Sequence, residues 1–173
     1  MSTFNGLPAH VLFVHFIVVL APLTAILAIL CALWPAARQR LVWLVLALAI
    51  ATGVLTPLTT EAGEWLEHRV GRTPLLHTHA ELGDTMILFS GALFIAAVLL
   101  VIQHVREGRG KALSTVLSAV VAVFVLVAGF ATVVQVYRIG DSGAKATWSD
   151  KQLTPVKAGG GTRADSAAQC DAG

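Results

Sequence analysis

The sequence predicts an all-α, polytopic membrane protein: a four-transmembrane-helix bundle with both termini extracytoplasmic. Three observations carry this. The 173 residues are 56% apolar and only 13% charged, with a mean hydropathy of +0.77, against roughly a quarter charged in soluble domains. Four apolar stretches reach the ~20 residues that cross a ~30 Å hydrocarbon core. None alternates with a period of two, so helices rather than barrel strands satisfy the backbone inside lipid.

The first span is expected over about 8–34. Pro8 suits the first helical turn, Pro22 is a candidate kink and Pro35 helps to end the span. The N-terminal MSTFNGLPAH carries no Lys or Arg, so it lacks the basic start of a secretory signal and reads as an uncleaved helix. The second span is expected over 41–60, irregular in its second half because of Gly53 and Pro57. The third covers 79–104 and the fourth 112–137. Residues 1–148 form one membrane domain on this reading. The tail, 149–173, is polar and rich in Gly and Ala, offers little to bury, and is expected to be disordered. The segment GDSGAKATWSD before it reads as turn-like.

The connections set the orientation. PAARQR (35–40) carries Arg38 and Arg40 with no acid, and VREGRGK (105–111) carries Arg106, Arg109 and Lys111 against Glu107. The positive-inside rule puts both in the cytoplasm, so the termini and loop 61–76 face outward. The expected location is the bacterial plasma (inner) membrane, multi-pass, with the lipid bilayer as first partner. The net charge of +2 is unclustered, which excludes a nucleic-acid footprint. Cys31 in a span and Cys170 in the tail are placed too differently to pair, and no CxxC occurs.

Five of the six histidines fall at the outer ends of these stretches: His10 and His15 open the first, His68 lies in the outer loop, and His77 and His79 open the third. His104 stands alone at the inner end. Imidazoles in hydrocarbon ligate, relay protons or pair with charges. His77, Glu81 and Asp84 form one polar stripe, which a solvated helix entrance explains as well. His79, Gly83, Met86 and Ser90 form a second, on which Gly83 leaves room for a flat group or a close helix.

Two site readings follow. In the first, a b-type haem is held near the outer face by imidazoles from two parallel spans. His15 with His79 is the preferred pair, with His10 and His77 as substitutes, although the acids after His79 suggest that it sits shallower than His15. In the second, Glu61, Glu64 and His68, at i, i+3 and i+7, ligate a transition metal. The same segment also reads as an interfacial helix anchored by Trp65. The first reading makes the chain an electron-transfer or redox-accessory subunit served by a respiratory or other redox protein. The second makes it a metal-binding or structural accessory subunit. Homo- and hetero-oligomers both remain open. An enzyme acting by itself is the weaker reading: Ser142 in GDSG has no β fold around it, and phosphate-loop fingerprints are absent.

The opening LPAHVLFVHF resembles the HPxxVHFP-type start of a bacterial family of predicted four-helix membrane proteins of unknown function. The match continues through Gly53, through His79-Ala80-Glu81-Leu82-Gly83, and through Gly140-Asp141-Ser142-Gly143-Ala144, covering about residues 5–148. Val11 and Ile17 replace two prolines of that pattern. Members of the family are sometimes fused to Rieske or cytochrome c domains. The resemblance thus implies a four-helix membrane fold and tilts the function toward electron transfer.

Overall fold

The computed structural model describes residues 3–4, 7–70 and 74–148, with side chains for 12–65 and 77–145. Its four helices are α1 (Ala9–Leu33), α2 (Pro35–Val70), α3 (Pro74–Gly108) and α4 (Thr115–Trp148). Each is long and apolar enough to cross a membrane. Two strands of two residues, β1 (Thr3–Phe4) and β2 (Leu7–Pro8), pair antiparallel ahead of α1. Pro8 therefore closes β2 instead of opening the first helix.

The helices pack as an up-down-up-down ring. Each lies against its two antiparallel neighbours, and the α1–α3 diagonal touches far less. Short connections dictate this order. Only Trp34 separates α1 from α2, and its N–H and carbonyl still bond Leu30 and Arg38 at 2.9 and 3.0 Å. Pro35 does not merely stop α1. It opens α2, where its missing N–H has no intrahelical acceptor to lose. PAARQR is accordingly a first helical turn, not a loop. At the α3 end the Lys111 N–H reaches the Arg106 carbonyl at 2.9 Å and the Gly110 N–H the Glu107 carbonyl at 3.0 Å. Gly110 takes φ 67°, the left-handed conformation that this helix stop requires.

Two expectations about helix ends are corrected. Segment 61–70 continues α2 instead of forming part of an outer loop. Segment 140–148 continues α4 instead of turning. Asp141 and Lys145 pair at i, i+4 with 2.6 Å between Nζ and Oδ2, and the Ser142 hydroxyl donates to the Ile139 carbonyl at 2.9 Å. These local bonds suit a helix as well as a turn, and packing against α3 selects the helix. Pro22 and Pro57 both lie inside continuous helices, so the second half of α2 keeps its helical path.

The core divides by depth. The half near the α1–α2 and α3–α4 junctions is apolar and made of small and branched side chains, among them Ala28, Cys31, Val42, Val45, Ala97, Leu100 and Val125. The half near the N-terminus mixes Ile17, Ala21, Met86 and Val136 with buried Thr52, Thr56, Thr59, Ser90 and Thr132. Each of these hydroxyls donates to a carbonyl three or four residues back in its own helix, at 2.7–3.1 Å, so they sit in the bundle without unsatisfied donors. Helices α1 and α4 meet at Gly129, where a Cβ would lie 2.9 Å from Ile29 Cδ1. The large apolar residues left exposed, such as Val19, Leu88, Val116 and Phe130, form the lipid-facing surface.

Candidate functional site

Antiparallel α3 and α4 are joined by three polar rungs. Near the α3–α4 junction Gln103 Nε2 donates to Ser118 Oγ at 3.4 Å. In the opposite half Gln135 Nε2 donates to Thr85 Oγ1 at 2.7 Å and to the Leu82 carbonyl at 3.1 Å. At the far end from the junction His79 Nδ1 lies 2.9 Å from Ser142 Oγ. The His79 ring rests directly on Gly143, where an added Cβ would stand 3.0 Å from Cε1 and 3.3 Å from Nδ1. A Cβ at 143 would crowd the imidazole and push it aside by a few tenths of an ångström.

This rung fixes the chemistry of His79. A hydroxyl has one proton, and that of Ser142 goes to the Ile139 carbonyl at 2.9 Å. With the hydroxyl so placed, Ser142 Oγ accepts from the His79 Nδ1–H. The neutral ring is thereby held as the Nδ1–H tautomer, with its lone pair on Nε2. A histidine whose Nδ1 is tied in this way has the arrangement of a metal-ligating imidazole. The same bonds argue against Ser142 as a nucleophile. Its proton is directed away from the imidazole, and its position within α4 commits the surrounding N–H groups to the helix, so no oxyanion pocket forms.

The levels of the other histidines follow from helix rise. Ile17 and Ala21 of α1 share one buried cluster with Met86 of α3. His79 stands seven residues before Met86, about 10.5 Å at 1.5 Å per residue. His10 stands seven residues before Ile17, the same rise. His15 stands only two residues before it, about 3 Å. Two helical turns separate His79 from Met86 and His10 from Ile17, so positions 10 and 79 continue the buried stripes of their helices. His15 is exposed and lies about 200° around α1 from Ile17. His79, two turns beyond Met86, falls between the levels of His10 and His15, and those two differ in face: position 10 continues the buried stripe of α1, whereas His15 is exposed. His10 belongs to α1, but its side chain lies outside the described residues.

His77 is exposed, with Nε2 3.4 Å from Glu81 Oε1, and Asp84 is exposed beside them. That stripe is a solvated helix entrance. Glu61 and Glu64 are exposed on the C-terminal extension of α2, and the side chain of His68 lies outside the described residues. Among the described residues no three His, Cys, Asp or Glu side chains gather as a metal site.

His79 and Gly83 belong to one quoted motif, and Ser142 and Gly143 to another. The fold brings the two together, which makes them parts of one feature. The family described as "Predicted membrane protein (DUF2231)" matches residues 6–154. The chain belongs to this family. It is a multi-pass membrane protein, and its lipid-facing surface is in contact with a bilayer. No curated protein and no solved structure matches it.

Sequence reading missed the role of Ser142 and Gly143. The signal was present in GDSGA, but its meaning depends on a partner more than 60 residues away. Arg38 was read only as an orienting charge. It is in fact buried and paired with Glu107.

Proposed function

We propose that this family member is a redox-accessory membrane subunit whose outer mouth holds a b-type haem, with His79 as one axial ligand. The observation that carries the reading is the Ser142–His79 contact at 2.9 Å, which holds the ring by Nδ1 against Gly143 and makes Nε2 the nitrogen that would ligate. The donor set fits the group. Bis-imidazole ligation needs histidines from two helices, and His10, on the face of α1 that continues the buried Ile17 stripe, is the partner proposed for His79. His15, and His77 on its exposed stripe, are the less well matched substitutes. Bound haem would supply a one-electron couple. The protein's part is to orient His79 through Ser142, to seat its ring on Gly143, and to close the floor with Ile17, Met86 and Val136 so that the group stays at the outer face.

The orientation proposed with this function puts both termini outside. Arg40, Arg106, Arg109 and Lys111 gather at the α1–α2 and α3–α4 junctions, as the positive-inside rule expects for cytoplasmic connections. The electron partner would be a respiratory or other redox protein of the plasma membrane.

Elemental analysis tests the reading against its rival. Iron near one atom per chain, in protein purified from haem-supplied cells, supports haem. Zinc or copper in place of iron, lost on replacing Glu61, Glu64 and His68 together, would move the site to the α2 extension.

A further inference from the structure

We propose that the outer end of the α3–α4 seam binds the phosphodiester headgroup of an anionic membrane phospholipid, with Arg138 as its anion-binding residue. An open cleft of about 260 Å³ lies there, lined by Thr78 and Leu82 of α3 and by Tyr137, Arg138, Asp141, Ser142 and Lys145 of α4.

Depth selects a lipid. The apolar run of α4 from Val116 to Val136 rises about 31 Å, the thickness of the hydrocarbon core. Tyr137 and Arg138 follow immediately, at the level of the headgroups. Tyr137 is 74% exposed, as expected of an aromatic at the membrane–water boundary. The Gln135 rung to Leu82 and Thr85 puts the α3 wall of the cleft at the same level. Leu82 and the Tyr137 ring offer apolar surface to the glycerol and upper acyl chain.

Charge selects an anionic head. The cleft holds two cations and one carboxylate. Lys145 Nζ lies 2.6 Å from Asp141 Oδ2, so the carboxylate that would repel a phosphate is already neutralised. Arg138 has no carboxylate partner among the described residues, which leaves one net positive charge for one phosphodiester. Its planar guanidinium can donate two parallel hydrogen bonds to a phosphate. Nothing in this proposal depends on haem or on His79.

The test is thermal unfolding of the full chain in neutral detergent, titrated with dioctanoyl phosphatidylglycerol, dioctanoylglycerol or inorganic phosphate. The phospholipid is expected to raise the midpoint saturably, and the other two are not. In Arg138→Gln the apparent Kd rises about five- to tenfold, whereas Arg109→Gln, at the opposite end, is unchanged. Arg138→Lys, which keeps the charge and loses the fork, falls between wild type and Gln, and carries the test alone if the Gln protein is not recovered folded. Equal response of wild type and the Arg138 variants overturns the proposal. Stabilisation by dioctanoylglycerol overturns the anionic head, and stabilisation by inorganic phosphate overturns the lipid source.

Discussion

Arg38 on α2 grips Glu107 on α3 with two hydrogen bonds, Nη2 to Oε1 at 2.7 Å and Nε to Oε2 at 3.3 Å. Its Nη1 reaches the Cys31 carbonyl of α1 at 3.1 Å. One guanidinium therefore ties three helices together at the basic end of the bundle. Arg38 is only 4% exposed, while the Glu107 side chain is 28% exposed, so the acid keeps some access to water when the arginine is lost.

Arg38→Leu should lower stability by roughly 1–3 kcal/mol, less than the loss of a fully buried partner because Glu107 is partly solvated. Glu107→Leu strands the more deeply buried charge and should cost at least as much. The double variant should lose less than the sum of the singles. Unfolding midpoints in detergent check this, and strict additivity would mean that the pair does not couple the helices.

Gly129 sets the α1–α4 distance. A Cβ there meets Ile29 Cδ1 at 2.9 Å, but that atom is the end of a flexible side chain and can rotate away. Gly129→Ala should therefore be mild, under about 1 kcal/mol, whereas Gly129→Leu overpacks the seam by about 1–3 kcal/mol. Adding Ile29→Ala should restore part of the loss in the Leu variant. Failure of that rescue would show that backbone, not Ile29, limits the approach.

The helical fold was legible in the sequence because hydropathy and length alone mark a span, and loops as short as Trp34 force neighbours to be antiparallel. The helix ends were not. Glu61–Val70 and Gly140–Trp148 are polar, and polarity does not distinguish a loop from a helix that runs past the bilayer. Pro57 misled for a related reason: helical neighbours tolerate a proline within a span. At the site, His79 was legible as a residue type in an unusual place. Its tie to Ser142 was not, because no local period links position 79 to position 142.

Orientation is tested by fusion. A reporter enzyme that works only outside the cytoplasm, attached after Gly173, should be active in cells. Activity only of a cytoplasmic reporter at that position would turn the bundle over and put the His79 mouth on the inner face.

The residues that hold His79 should act on cofactor affinity more than on folding. Ser142→Ala removes the acceptor for Nδ1–H, and a lost ligand-orienting bond typically weakens metal retention about 10- to 100-fold. Gly143→Val drives a side chain into the ring and should do at least as much. Haem content per folded protein, measured at matched unfolding midpoints, separates this from simple destabilisation. Unchanged content in both variants would show that the contact merely packs α3 on α4.

The account rests most directly on whether His79 is a ligand, and one absorption measurement addresses it. The full chain, purified from haem-supplied cells, should show a Soret band and sharp reduced α and β bands of a six-coordinate b-type haem. His79→Ala and His10→Ala should each abolish or convert that spectrum, and His15→Leu should leave it intact. A folded wild-type protein with no Soret band, or a spectrum that survives His79→Ala unchanged, would contradict the account.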